Sequence, residues 1–144
     1  MPATKYIPDG FHSVTPYLVI QGAARLIDFV KQAFGAEELY RGSRPDGTIQ
    51  HSLVRIGDSM VELGEPVEPS KVMLATLHLY VPDTDAVYRR ALAAGATSLA
   101  EPADQFYGDR MAGVTDPSGN LWYIATRKEE LSAEEVERRA AARS

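Results

Sequence analysis

Apolar residues alternate in the segment VTPYLVI, where Thr15, Tyr17 and Val19 fall on one face and Leu18 and Ile20 on the other, so the spacing predicts a strand there. Past Gly22 the period lengthens. Leu26, Ile27, Val30 and Phe34 recur at helical spacing, Lys31 sits in the last turn, and Gly35 suits a left-handed C-terminal cap. EELYRGS, TIQHSLVRI and SMVELGE follow as strand-like segments. Turns at Arg44-Pro45-Asp46-Gly47 and Gly57-Asp58 separate them, the pattern of an antiparallel meander.

The proline-bearing stretch PVEPSKV reads as a linker, and beyond it the order restarts. ATLHLYV is strand-like, Asp83 is placed to cap a helix carrying Val87, Tyr88, Ala91 and Leu92, and Gly95-Ala96 stops it. Extended pieces are expected at SLA, RMAGVT and NLWYIAT, the last two joined by a turn at Asp116-Pro117-Ser118-Gly119. The intervening QFYGDRMAG reads as a loop. Gly35-Ala36 recurs as Gly95-Ala96, 60 residues on by subtraction, so each half reads strand, helix, three strands. One such unit has an apolar sheet face and two bare edges, and needs a second copy or a second chain to cover it. The expected organisation is an arm at 1–13, modules at 14–66 and 75–128 around a linker at 67–74, and a C-terminal helix at 129–144, with the modules forming one domain. Ser132 and Glu135 make a capping-box pattern at the start of that helix, which either fixes the terminus to the surface or contacts a second chain.

Composition narrows the chemistry. The chain has 144 residues and a net charge of −5 from 15 Lys plus Arg and 20 Asp plus Glu, a balance that disfavours nucleic-acid binding. It contains no cysteine, which removes disulfides, thiolate metal sites and thiol nucleophiles. No apolar run reaches the ~20 residues of a membrane span and no signal-like segment opens the chain, so a cytoplasmic protein is expected. Phosphate loops, nucleophile elbows and dinucleotide fingerprints are not found.

The segments TPYLVIQGAARLIDFVKQAFGAEEL, HSLVRIGDSMVELGE, LHLYVPDTDAVYRRALAAGA and YGDRMAGVTDPSGNLWYIATRKE resemble the vicinal oxygen chelate superfamily, glyoxalase/bleomycin-resistance/dioxygenase proteins, and within it the PhnB-like branch. The resemblance spans about Val14 to Glu130. It implies an α+β fold of two βαβββ modules forming a curved mixed sheet around a cup, within a homodimer. Metal-dependent members place one ligand on each of four cup-facing strands, and the matching positions here are Thr15, Glu62, Thr76 and Tyr123. Only Glu62 keeps a ligand type that zinc, iron or nickel favours, so a cofactor-free site is expected.

Six residues are candidates for the cup lining: Tyr17, His51, Glu62, His78, Arg110 and Tyr123. Glu62 lies in a strand between Val61 and Leu63, where a carboxylate serves either as a base or ligand anchor or is held by a hydroxyl from Thr15 or Tyr123. His78 shares a strand face with Thr76 and is either pocket lining or a ligand displaced by one pleat. His51 lines the cup or is solvated near its turn. Arg110, beside Phe106, Tyr107 and Asp109, either receives a planar or anionic ligand or fixes its own loop. Trp122 should face away from Tyr123 into a core, and His12 in the arm carries no signal. The leading expectation is a binder of a small organic molecule without metal. A lyase, isomerase or dioxygenase holding one divalent metal through Glu62 and a shifted histidine is the alternative, and a non-catalytic interaction module the third.

Overall fold

The structure, a computed structural model, describes residues 4–143. The chain divides between Ala75 and Thr76 into two compact units. In the first, β1 (Tyr17–Val19) leads through α1 (Ala23–Phe34) to a meander of β2 (Glu37–Ser43), β3 (Ile49–Ile56) and β4 (Ser59–Gly64). The sheet order is β1-β4-β3-β2, with β1 parallel to β4 and the other pairs antiparallel. Helix α1 buries Leu26, Ile27, Phe29 and Val30, which form a core with Leu18, Val54, Ile56 and Leu63. Each large side chain fully buried in this way contributes about 1.5–3 kcal/mol. Gly35 closes α1 in the left-handed conformation, with φ 66°.

The second unit repeats this plan. Strand β5 (Thr76–Tyr80), helix α2 (Thr84–Ala93), and strands β6 (Thr97–Asp104), β7 (Asp109–Thr115) and β8 (Leu121–Arg127) form a sheet of order β5-β8-β7-β6. Asp83 caps α2 by accepting from the Ala86 N–H at 3.2 Å. Trp122 is buried on the helix side of β8, opposite Tyr123, as its place in the strand predicts. Helix α3 (Ala133–Ala142) has no buried residue. Ser132 caps it by accepting from the Glu135 N–H at 3.1 Å, while the Glu135 carboxylate turns to Arg138 and Arg139 instead of completing a capping box. Arg139 and Arg143 fasten α3 to Phe106, through its carbonyl and across its ring at 4.3 Å.

Three elements differ from the periodicity. Strand β1 begins at Tyr17, three residues later than the alternation suggests, because Pro16 has no N–H for a ladder; its carbonyl still accepts from Glu62 N at 2.9 Å. Strand β7 begins at Asp109, one residue ahead of the expected RMAGVT, so Asp109, Arg110 and Met111, which QFYGDRMAG also counts in a loop, pair with Arg127, Thr126 and Ala125. Strand β6 runs well beyond SLA to Asp104, absorbing Pro102 at an edge where its pairing with β7 is irregular. Among the described residues no helix is long and apolar enough to cross a membrane.

Candidate functional site

One face of the first unit's sheet is covered by α1, and the other carries the candidate chemistry. Register fixes which side chains share that open face. Tyr17 on β1 and Leu53 on β3 are both Cα partners of Glu62 on β4, and His51 lies two residues from Leu53, so all four project to the same side. His51 Nε2 and Glu62 Oε1 are 2.8 Å apart. The imidazole, not a hydroxyl of Thr15, is therefore the partner that holds the carboxylate. Their side chains are 38% and 30% exposed, and an ion pair that open to solvent stabilises a fold by about 0–1 kcal/mol at most.

Two tyrosines flank this pair. The Tyr17 ring stacks on His51 at 5.8 Å between centroids and 26° between planes, and Tyr40 of β2 stands on its other strand side at 5.7 Å and 43°. Both rings lie over glycines. A Cβ on Gly64 would sit 2.7 Å from the Tyr17 hydroxyl and 2.5 Å from the Gln50 carbonyl oxygen, and one on Gly42 would sit 2.8 Å from the Tyr40 hydroxyl. The absent side chains thus make the room in which the tyrosines lie down beside the imidazole. Tyr40 reaches this face through the irregularity in β2 pairing between Glu38 and Tyr40, which is why strict alternation in EELYRGS does not identify it.

An open cavity of about 330 Å³ lies beside Glu62, lined by arm residues between Tyr6 and Ser13 and by Thr15. Thr15 lies ahead of β1 instead of inside it, and contributes to the cavity wall. His12, which carries no sequence signal, lines the same cavity.

In the second unit, His78 on β5 and Tyr123 on β8 are Cα partners on the open face, and the His78 ring lies 4.8 Å from that of Tyr80. Tyr80 extends past its small partner Ala125 to donate to Asp109 Oδ2 at 2.9 Å. That bond to a carboxylate raises the Tyr80 pKa above the ordinary phenol value, and burial does the same for Tyr107. Thr76 begins β5 and is exposed. Arg110 does not join this group. It alternates with Met111 and Gly113 and so projects to the α2 side, where Asp85 accepts from Nε at 2.6 Å and from Nη2 at 2.9 Å and Asp104 accepts from Nη1 at 3.1 Å. The fork expected for a ligand ties α2 to β7 and β6. A second cavity, of about 380 Å³, adjoins it, lined by alternating charges such as Asp109, Lys128, Glu129 and Arg139.

The four positions matching metal ligands do not fit a transition metal. In the first unit, Glu62 is the one carboxylate beside an imidazole already bonded to it, and Thr15 supplies a neutral hydroxyl from a loop. In the second, Thr76 and Tyr123 bring a hydroxyl and a phenol. Imidazole and carboxylate donors in threes or fours hold such ions, and among the described residues no three His, Asp or Glu side chains converge.

The sequence profile of the Glyoxalase/Bleomycin resistance protein/Dioxygenase superfamily matches residues 10–124. The chain is 37% identical over 136 residues to an uncharacterized protein of Mycobacterium bovis, covering 87% of this chain and 90% of that one. Among solved structures it is similar to TioX from Micromonospora sp. ML1, at 25% identity and a TM-score of 0.65 over 84% of this chain and 100% of that one. A glyoxalase-related enzyme from Fulvimarina pelagi shares the fold at 18% identity and a TM-score of 0.64, covering 80% and 87%.

Proposed function

The chain belongs to the glyoxalase/bleomycin resistance protein/dioxygenase superfamily, and we propose that within it this protein binds a small organic molecule on the open face of its first sheet, without a metal ion. The observation that carries this is the His51–Glu62 hydrogen bond set between the rings of Tyr17 and Tyr40. A carboxylate and an imidazole give polar anchors, two phenol rings give flat apolar walls, and the adjoining cavity gives depth. A few convergent polar groups on an aromatic surface are what orient a small ligand. The pair contributes little to stability while half-open to water, so folding alone does not account for it.

The second unit supports the reading less well, because its arginine is committed to Asp85 and Asp104 and its larger cavity is walled by charges of both signs. Membership of the PhnB-like branch, a homodimeric state and a cytoplasmic location belong to the same proposal and rest on the sequence motifs and composition described above.

The test is a fragment screen on isotope-labelled protein, with charged and neutral aromatics represented equally. Binding fragments are expected to move the resonances of His51, Tyr17 and Tyr40 together, and Glu62→Ala is expected to abolish those shifts while leaving the spectrum dispersed. A screen in which no fragment moves these resonances, or in which hits survive Glu62→Ala unchanged, removes the proposal.

A further inference from the structure

Within that reading, on which the following rests, we infer that the ligand is a flat organic cation or N–H donor of the amidine or aminoheterocycle class, and that the N-terminal arm forms one wall of its site. Three observations converge. First, the one acidic side chain in the cavity lining is Glu62. Glu62 Oε1 is taken by His51, but among the described residues neither Oε2 nor His51 Nδ1 has a hydrogen-bond partner. A free carboxylate oxygen calls for a hydrogen-bond donor and attracts a cation. Second, the cavity beside Glu62 has no lysine or arginine in its lining. The cations nearest in sequence are committed elsewhere: Lys5 to Asp9 at 2.9 Å, and Arg55, on the same face of the sheet, to Glu37. Nothing in the wall would receive a carboxylate or phosphate, whereas an amidinium meets a carboxylate by parallel hydrogen bonds. Third, the space is small and aromatic rings stand next to it. The cavity of about 330 Å³ is near the lower end of ordinary ligand sites, ~300–1,000 Å³. The stacked rings of Tyr17 and Tyr40 present π-faces that also attract cations.

The arm is built onto this site. Gly10, at φ 83°, passes so close to Met60 that a Cβ there would lie 3.0 Å from its terminal methyl carbon. Met60 is on β4, two residues before Glu62 and on the same face. A turn closed by Phe11 N–H on the Pro8 carbonyl at 3.1 Å then brings Phe11 and His12 into the cavity wall. Any other residue at position 10 is strained at that φ and must push Met60 aside, so the arm's path over the sheet depends on this glycine.

Benzamidine, benzamide and benzoate share one shape and differ in charge and donor count, and calorimetric titration of the full chain with all three at pH 8 separates the possibilities. Benzamidine is expected to bind at least tenfold more tightly than benzoate. Glu62→Gln is expected to remove that preference, and both Gly10→Ala and Phe11→Ala to weaken benzamidine several-fold with unchanged far-ultraviolet circular dichroism. If benzoate or benzamide binds as well as benzamidine, and Tyr17→Ala weakens it, the site stands but the cation class is overturned. If benzamidine binds equally to Glu62→Gln, or does not bind at all, the inference falls. The fragment screen then decides by itself whether the face binds other molecules. If only the arm variants have no effect, the arm is not a wall of the site.

Discussion

Asp116 is the most heavily hydrogen-bonded side chain of the second unit, and changing it to asparagine gives a quantitative test of how the turn before β8 is held. The residue is 4% exposed. Its Oδ1 accepts from the backbone N–H groups of Ser118, Gly119 and Asn120 at 2.8, 2.9 and 3.0 Å. Its Oδ2 accepts from Asn120 Nδ2 at 3.0 Å and from Trp122 Nε1 at 2.8 Å. In Asp116→Asn the remaining carbonyl oxygen can serve the three backbone donors, but the new amide nitrogen faces two donors. Each buried donor that loses its acceptor costs about 1–3 kcal/mol, so after partial relaxation the loss is about 3 kcal/mol. For a chain of this length that is about 10 °C in Tm. The single tryptophan is Trp122 itself, so its emission during urea or thermal unfolding reports the second unit directly. Asp46→Asn, at an exposed turn with a similar bond to the Thr48 N–H, is the control and should shift the midpoint little. A loss below about 1 kcal/mol for Asp116→Asn would show that the turn holds without the carboxylate, and the reasoning from donor count would be refuted.

Gly64→Ala should be more damaging than an alanine normally is in a strand, because its Cβ meets the backbone oxygen of Gln50 at 2.5 Å as well as the Tyr17 hydroxyl; a loss of about 1–3 kcal/mol and displaced Tyr17 resonances are expected, and an unperturbed Tyr17 would contradict it. Tyr80 should resist ionisation past the ordinary phenol value of ~10 in a spectrophotometric titration, and Asp109→Asn should bring it back toward that value. Because the neutral phenol is favoured in the folded state, the stabilisation is complete below about pH 10 and is lost as pH rises through the folded pKa. Glu135 has the opposite sign: hydrogen bonds from Arg138 and Arg139 hold its pKa at about 2, so its contribution is present above the ordinary ~4.3 and lost as pH falls toward 2. Protection of the α3 amides, relative to their intrinsic exchange rates, should therefore hold at pH 4 and fall near pH 2; a fall already complete at pH 4 would rule the contact out.

Much of the architecture was legible because its signals are local. Period changes, the Gly35 and Asp83 caps and the turn at Asp116 each depend on a few adjacent residues, and the repeated order of elements made the duplication visible. The open face was less legible. Glu62 and His51 could be placed on it by parity, but that they bond each other depends on a diagonal across β3 and β4 that register alone decides. Tyr40 was hidden by a bulge that breaks alternation, and Arg110, at the start of the expected strand RMAGVT, turns to α2 and not to the open face. Its partner Asp85 is 25 residues away, beyond any local pattern. The arm left no periodic trace, so the place of His12 in the cavity lining with Glu62 had no sequence signal.

The Glu62–His51 pair is proposed to receive an organic ligand and not a metal ion. This is tested most directly by dialysing the purified protein against zinc, nickel and iron(II) in turn, measuring bound metal by elemental analysis, and repeating with Glu62→Ala. Far less than one ion per chain is expected in both proteins, with His51 resonances unmoved. One tightly held ion per chain, lost in Glu62→Ala and accompanied by a shift of the His51 ring signals, would contradict it.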